Sequence, residues 1–283
     1  MSSPVPKLCP SDTEYCRHSF GPRTREVTVE TGGVDQRRLY ELLWGAPTGP
    51  RRGPRPTLTL AAIARAGITI ADADGLDGLT MQRVAESLDV TKMALYRYVP
   101  GRAELVALML EAAVGEPPAP PPGADWRGRL DDWARQLFDR FRRHPWAQAA
   151  TVGPRVPGPN ELAWLEQVVA ALAGTGLTGA EQLDVAVLLV GHARNLAQHA
   201  APDDAPGGSR EAAFGVLVRG REERFPALEA ALRGIDPDTP DQALDFGLAR
   251  ILDGVEALIT TRAAAGPRHP GGVDGRGPDG RGE

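Results

Sequence analysis

Leu79-Thr80-Met81-Gln82-Arg83-Val84-Ala85-Glu86-Ser87-Leu88-Asp89-Val90-Thr91-Lys92-Met93-Ala94-Leu95-Tyr96-Arg97-Tyr98-Val99 reads as two short helices around a tight turn, the geometry of a helix-turn-helix. Thr80 is a favoured N-cap, and Met81, Val84, Ala85 and Leu88 follow it at helical spacing, so a scaffolding helix begins there. Asp89-Val90 breaks that helix, and Thr91 caps a second one whose Leu95 faces inward. The turn needs a backbone position near the left-handed region, which glycine fills most easily; Asp89 is tolerated there at a cost of about 1 kcal/mol. Small Ala85 lets the second helix approach closely. Lys92, Met93, Ala94, Tyr96 and Tyr98 project from that second helix. Such a face suits a major groove, where cations meet phosphates and flat side chains pack on sugars and thymine methyl groups.

The blocks Ile63-Ala64-Arg65-Ala66-Gly67-Ile68, Ala71 to Thr80, Val84-Ala85-Glu86-Ser87-Leu88, Ala94 to Val99 and Arg102-Ala103-Glu104-Leu105, in this order and spacing, resemble the N-terminal domain of the TetR family of transcriptional regulators. The likeness runs from about Leu58 to Leu110. Gly67, where alanine is common, and Asp89, where glycine is usual, depart from the pattern; a glycine inside a helix costs about 1 kcal/mol. The resemblance implies that Thr80 and Arg102 anchor phosphates and that Tyr96 contacts backbone and sugar. It puts Gln82, Lys92, Met93, Ala94 and Tyr98 nearest the bases, with Met81, Thr91 and Arg97 in the same DNA-facing segment. Gln82 and Lys92 are the expected hydrogen-bonding readers, since Gln pairs with adenine and Lys reaches guanine O6 and N7. Met81, Val84, Leu95 and Leu105 also read as core.

The net charge of the 283-residue chain is −5, so an overall basic balance is not what points to nucleic acid. Between Arg51 and Arg102 there are eight Lys or Arg against five Asp or Glu, a local balance of +3 against −8 elsewhere, and this asymmetry is the informative quantity. Arg51, Arg52 and Arg55 directly precede the first helix and are expected to act as a basic arm along the minor groove.

Residues 1–50 lack regular patterning apart from the amphipathic run Arg37 to Trp44 and are expected to be a largely disordered extension with at most two helical turns. Cys9 and Cys16, the only cysteines, fit neither a zinc pattern nor a disulfide framework. With no apolar run of signal-peptide or membrane-spanning length, the protein is expected in the cytoplasm, associated with the nucleoid, and not at a membrane. The DNA-binding domain is assigned to 51–115, ending at the stiff connector Glu116 to Gly123. A larger helical domain is assigned to 124–265, with helices over Trp126–His144, Asn160–Ala173, Ala180–Ala200, Arg210–Arg224 and Asp241–Arg262. The tail, 266–283, reads as disordered. The fold class is therefore all-α: a three-helix helix-turn-helix domain followed by a larger helical ligand-binding and dimerisation domain.

Gly174 to Gly179 matches GxGxxG but follows a helix rather than a strand, so it reads as a helix-to-helix turn near a new N-cap. An enzyme that merely carries a helix-turn-helix is disfavoured because, past the connector, Ser209 is the only serine and cysteine is absent. His192 and His199, ~10 Å apart along one helix, cannot share a metal, so each reads as hydrogen-bonded in a packing interface. No cofactor and no metal site is expected. By the resemblance, Ala180–Ala200 and Asp241–Arg262 form a four-helix seam with a second copy, the latter helix through Ala243, Phe246, Leu248, Ile251, Leu252, Val255, Leu258 and Ile259. The resemblance also places a cavity for a small-molecule effector in the larger domain, with Phe138, Trp146, Trp164 and Leu165 as lining candidates. His192, Asn195 and Phe214 complete that set. The expected function is a homodimeric repressor that binds double-stranded DNA at a palindromic operator and is released by a small molecule. The alternative is an activator or nucleoid-type protein without small-molecule control.

Overall fold

Gln36–Trp44, read from sequence as at most two turns, forms a nine-residue helix, α1, whose Leu39 and Leu43 are buried against a later helix. In the computed structural model, residues 36–45, 58–153, 155–199, 210–235 and 242–265 are described. They lie in one compact unit, Val34–Glu283; a second unit, Met1–Gly33, falls outside them. Also outside are the arm residues Arg51, Arg52 and Arg55 and the tail 266–283. Among the described residues there are twelve helices and no strand, and no helix is long and apolar enough to cross a membrane.

The head consists of α2 (Leu60–Asp74), α3 (Met81–Ser87) and α4 (Lys92–Tyr96), leading into α5 (Arg102–Val114). Each start has a local cause: the hydroxyls of Thr59, Thr80 and Thr91 accept the backbone N–H of Ala62, Arg83 and Ala94. Gly75 and Gly115, at φ 69° and 61°, end α2 and α5. Gly67 has a positive reason to be glycine. A Cβ built there would lie 2.6 Å from Sδ of Met109, which is fully buried, so the missing side chain is what lets α2 and α5 close up.

The connector after α5 is pinned rather than loose, because Trp164 donates its indole N–H to the Gly115 carbonyl and Gln167 donates to that of Pro118. The chain then forms α6 (Trp126–Arg143), α7 (Pro145–Ala150), α8 (Pro159–Leu172) and α9 (Gly179–His199). The stripe of Leu130, Trp133, Leu137 and Phe141 on α6 is buried as its spacing predicts. Gly174 and Gly176, both at positive φ, make the turn between α8 and α9, and Thr178 with Glu181 forms a capping box for α9.

Two further short helices, α10 (Arg210–Val218) and α11 (Pro226–Arg233), replace the single helix over Arg210–Arg224 predicted from sequence. Gly220 at φ 78° ends the first, and Pro226 at the opening of the second suits a position with no N–H to satisfy. The last helix, α12 (Ala243–Ala265), packs on α9 and α6. Arg127 on α6 pairs with Asp253 and Glu256 of α12, Arg135 pairs with Asp245, and Arg262 pairs with Glu181 of α9. The Thr178 N–H and the Arg262 guanidinium hold the Glu181 carboxyl down at about 2. One continuous core runs from Leu58 through α5 to Val255, so the head and the larger domain share packing through α5.

Candidate nucleic-acid interface and interhelical cavity

The turn between α3 and α4 is built from backbone hydrogen bonds. Asp89 N–H donates to the Glu86 carbonyl and Val90 N–H to that of Ala85, with Asp89 at φ 51°. Leu95, 0% exposed, plugs α4 into the head. The rest of this short helix is turned to solvent: Met93 is 73% exposed, Tyr96 38%, and Lys92 is exposed with its Nζ 5.8 Å from the Tyr96 ring centre. Tyr98 and Arg97 are also exposed, and Ala94 is half-buried.

The remaining residues of the predicted DNA-facing set differ in what they do. Thr80 and Thr91 are the caps of α3 and α4. Gln82 is exposed, and its amide donates to Glu86 Oε1 at 2.7 Å. Met81 is buried and serves the core. Arg102 is exposed, but its guanidinium donates to the carbonyls of Leu76 (2.6 Å) and Leu79 (3.2 Å), so it ties the loop before α3 to the start of α5. The structure therefore brings a capped, outward-facing α4 together with Gln82 and Arg102 on neighbouring elements.

A cavity of about 440 Å³ opens among α6, α8 and α9. Trp133, Leu137 and Phe141 line it from α6; Leu162, Trp164 and Leu165 line it from α8; Leu183, Val187 and Val190 line it from α9. Its polar groups are Thr151, Arg155, Glu161 and Arg194. Arg155 and Glu161 face each other in a two-pronged ion pair, both contacts at 2.5 Å. The two indoles meet edge to face, 5.5 Å apart.

Of the cavity residues expected from sequence, Trp164 and Leu165 line it and five do not. Trp146 is buried elsewhere, its indole N–H donated to Asp72 on α2 at 2.7 Å, where His144 Nδ1 also lies 2.9 Å from the same oxygen. His192 packs against Gly247 of α12, with Nε2 3.4 Å from the Leu244 carbonyl. Phe138 is half-buried on α6 outside the cavity, while Asn195 and Phe214 are exposed. The helical spacing had already put Trp133, Leu137 and Phe141 on one stripe, which was the available signal for that wall. Nothing local marked Arg155, Glu161 or Arg194.

Glu111 of α5 accepts the Asn160 N–H at the start of α8 at 2.7 Å, and Asn160 Nδ2 donates back to the Glu111 carbonyl. The other carboxylate oxygen of Glu111 is buried without a hydrogen-bond partner among the described residues. Burial raises the Glu111 carboxyl above its ordinary value, against the lowering effect of the Asn160 N–H.

Two family profiles match the chain. One, for bacterial regulatory proteins of the tetR family, covers residues 63–109, and one for the tetracyclin repressor-like C-terminal domain covers 118–259. The HTH-type transcriptional repressor DrrR1 of Streptomyces coeruleorubidus is 36% identical over 266 residues, spanning 89% of this chain and 97% of that protein. The class A tetracycline repressor protein from transposon 1721 of Escherichia coli is 27% identical over 210 residues, 73% of this chain and 94% of that one. The TetR family protein ActR of Streptomyces coelicolor, solved in complex with (S)-DNPA, superposes with a TM-score of 0.59 at 26% identity over 73% of this chain and 100% of ActR.

Proposed function

The chain belongs to the TetR family of DNA-binding transcriptional regulators, and from that premise we propose that it is a homodimeric repressor released from a palindromic operator by a small molecule. In this reading α4 of each protomer enters the major groove of one half-site, with Lys92 and Gln82 reading bases and Thr80, Tyr96 and Arg102 holding the backbone. The observation that carries it is α4 itself: capped by Thr91, anchored by Leu95, and otherwise presented to solvent.

The dimer rests on surface that the protomer leaves uncovered. Phe246 of α12 is 66% exposed, Leu188 of α9 is exposed, and Gly254 has open space where a side chain would stand. Leu248, Leu252 and Val255, counted from sequence toward the seam, are buried within the protomer, so the seam narrows to the outer faces of α9 and α12. The effector site is read as the α6–α8–α9 cavity, and the complex of ActR with (S)-DNPA supports control by a small molecule. Release requires the effector to bind the DNA-incompetent state more tightly than the competent one.

Footprinting of the purified protein on the DNA flanking its own gene, with light scattering for mass, tests this reading. A symmetric protected site and a dimer mass support it. Protection of a single half-site by a monomer contradicts it.

A further inference from the structure

Resting on the reading of Gln82 as a base-contacting side chain, we infer that Glu86, one turn further along α3, is a positioning residue that fixes the polarity of the Gln82 amide and thereby selects adenine over guanine at one operator position. The two side chains lie four residues apart on one face of α3, and both are exposed. That face is set from beneath: Thr80 caps the helix, and Val84 and Ala85 are 0% and 1% exposed, so α3 cannot turn about its axis without uncovering its core. Gln82 Nε2 donates to Glu86 Oε1 at 2.7 Å. An ionised carboxylate only accepts hydrogen bonds, so the amide must turn its NH2 group toward Glu86 and leave its oxygen on the other side.

The neighbouring cations leave this pairing undisturbed. Arg83, on the same helix, is committed to Asp74 at 2.5 Å and to the Gly78 carbonyl at 2.7 Å, and Lys92 lies against the Tyr96 ring. Among the described residues no cation pairs with the Glu86 carboxylate. With one N–H given to Glu86, Gln82 keeps one N–H and its carbonyl oxygen for a base. Adenine offers the matching edge in the major groove, the acceptor N7 beside the donor N6–H. Guanine offers two acceptors, N7 and O6, so the held amide would set its oxygen against O6. Released from Glu86, Gln82 has both N–H groups to give, and guanine becomes acceptable. The carboxylate also repels phosphates whatever the sequence. Its charge therefore marks overall affinity, whereas its hydrogen bond marks the preference at a single base pair.

The test titrates the full-length protein against the footprinted duplex and a set of duplexes in which each base pair is replaced in turn. Gln82→Met identifies the position it reads, the one at which that variant loses its preference. There the A·T and G·C duplexes are compared for wild type, Glu86→Met, Asp89→Asn and Gln82→Met combined with Glu86→Met. Wild type is expected to favour adenine roughly tenfold. Glu86→Met is expected to bring that ratio down to about twofold or less, chiefly by tighter binding of the G·C duplex, and the double variant to match Gln82→Met. Asp89→Asn removes a neighbouring charge that does not touch Gln82, and it is expected to tighten both duplexes alike and keep the tenfold ratio. A ratio that persists in Glu86→Met, an equal relaxation in Asp89→Asn, or a wild-type preference for guanine overturns the positioning role while Gln82 still reads a base. If Gln82→Met flattens no position, base reading by Gln82 fails and the inference falls with it, so the two failures are distinguishable.

Discussion

Trp146 on α7 donates its indole N–H to Asp72 on α2 across 2.7 Å, joining the larger domain to the head through residues 74 apart in sequence. Asp72 also faces His144 Nδ1, so one carboxylate holds the entry to α7 from both sides. Asp72→Ala leaves a buried indole N–H without its acceptor, and a loss of about 1–3 kcal/mol is expected. Urea denaturation of the variant checks the magnitude. Because this joint is a direct tie between head and cavity domain, the variant is also expected to respond less to effector in an operator-release assay. Unchanged stability and unchanged response would mean that the joint carries nothing.

Glu111 joins the domains at a second place, between α5 and the start of α8. Its carboxyl is raised above the ordinary 4.5 chiefly by burial. A carboxyl raised on folding binds its proton more tightly in the native state, so it lowers stability as pH rises from the unfolded value through the folded one. Glu111→Gln removes that titration and keeps an acceptor for Asn160. The stability difference, variant minus wild type, is therefore expected to grow in the variant's favour as pH climbs above 4.5 and then level off. Thermal melts over a pH series measure it, and a difference that shrinks with rising pH would have the wrong sign.

Asp89 is the only non-glycine at positive φ among the described residues. Asp89→Gly relieves the left-handed strain, and a gain of about 0.5–1 kcal/mol, or roughly 1–4 °C in Tm, is expected. A lowered Tm would show that the aspartate is favoured there.

Gly67→Ala places a methyl group 2.6 Å from Met109 Sδ inside a closed core. Overpacking of this kind costs about 1–3 kcal/mol and outweighs the roughly 1 kcal/mol that alanine adds to a helix. Shortening the neighbour removes the clash, so Gly67→Ala combined with Met109→Ala is expected to cost less than the two single variants added together. Strict additivity in denaturant titrations would contradict a direct conflict.

The head was legible because its signals are local: Thr80 and Thr91 cap, Asp89 turns the chain and Leu95 points inward, each readable within a few residues. Gly67 could be read only as a helix penalty, because Met109, its reason, lies 42 positions away. The cavity was half legible. The α6 stripe and Leu165 follow from periodicity and Trp164 came from the resemblance, but Arg155, Glu161 and Arg194 come together only through tertiary packing. The same limit misplaced Trp146, whose indole N–H is engaged by Asp72, whereas His192, read from sequence also as hydrogen-bonded in a packing interface, has Nε2 3.4 Å from the Leu244 carbonyl. Helix α11 was missed although Pro226 marks its start, because the apolar pattern before Gly220 was extended across the break.

The most direct measurement is an anisotropy titration of a duplex carrying the footprinted site, over a salt series, with wild type, Lys92→Ala and Arg102→Ala. Wild type is expected to bind duplex DNA with strong salt dependence. Lys92→Ala is expected to lose ~1–3 kcal/mol and relax the preference at one base position, while Arg102→Ala weakens all sequences alike and lowers the salt slope by about 1. A protein that ignores duplex DNA at low salt, or variants that bind as tightly as wild type, would contradict the assignment of α4 as the reading element.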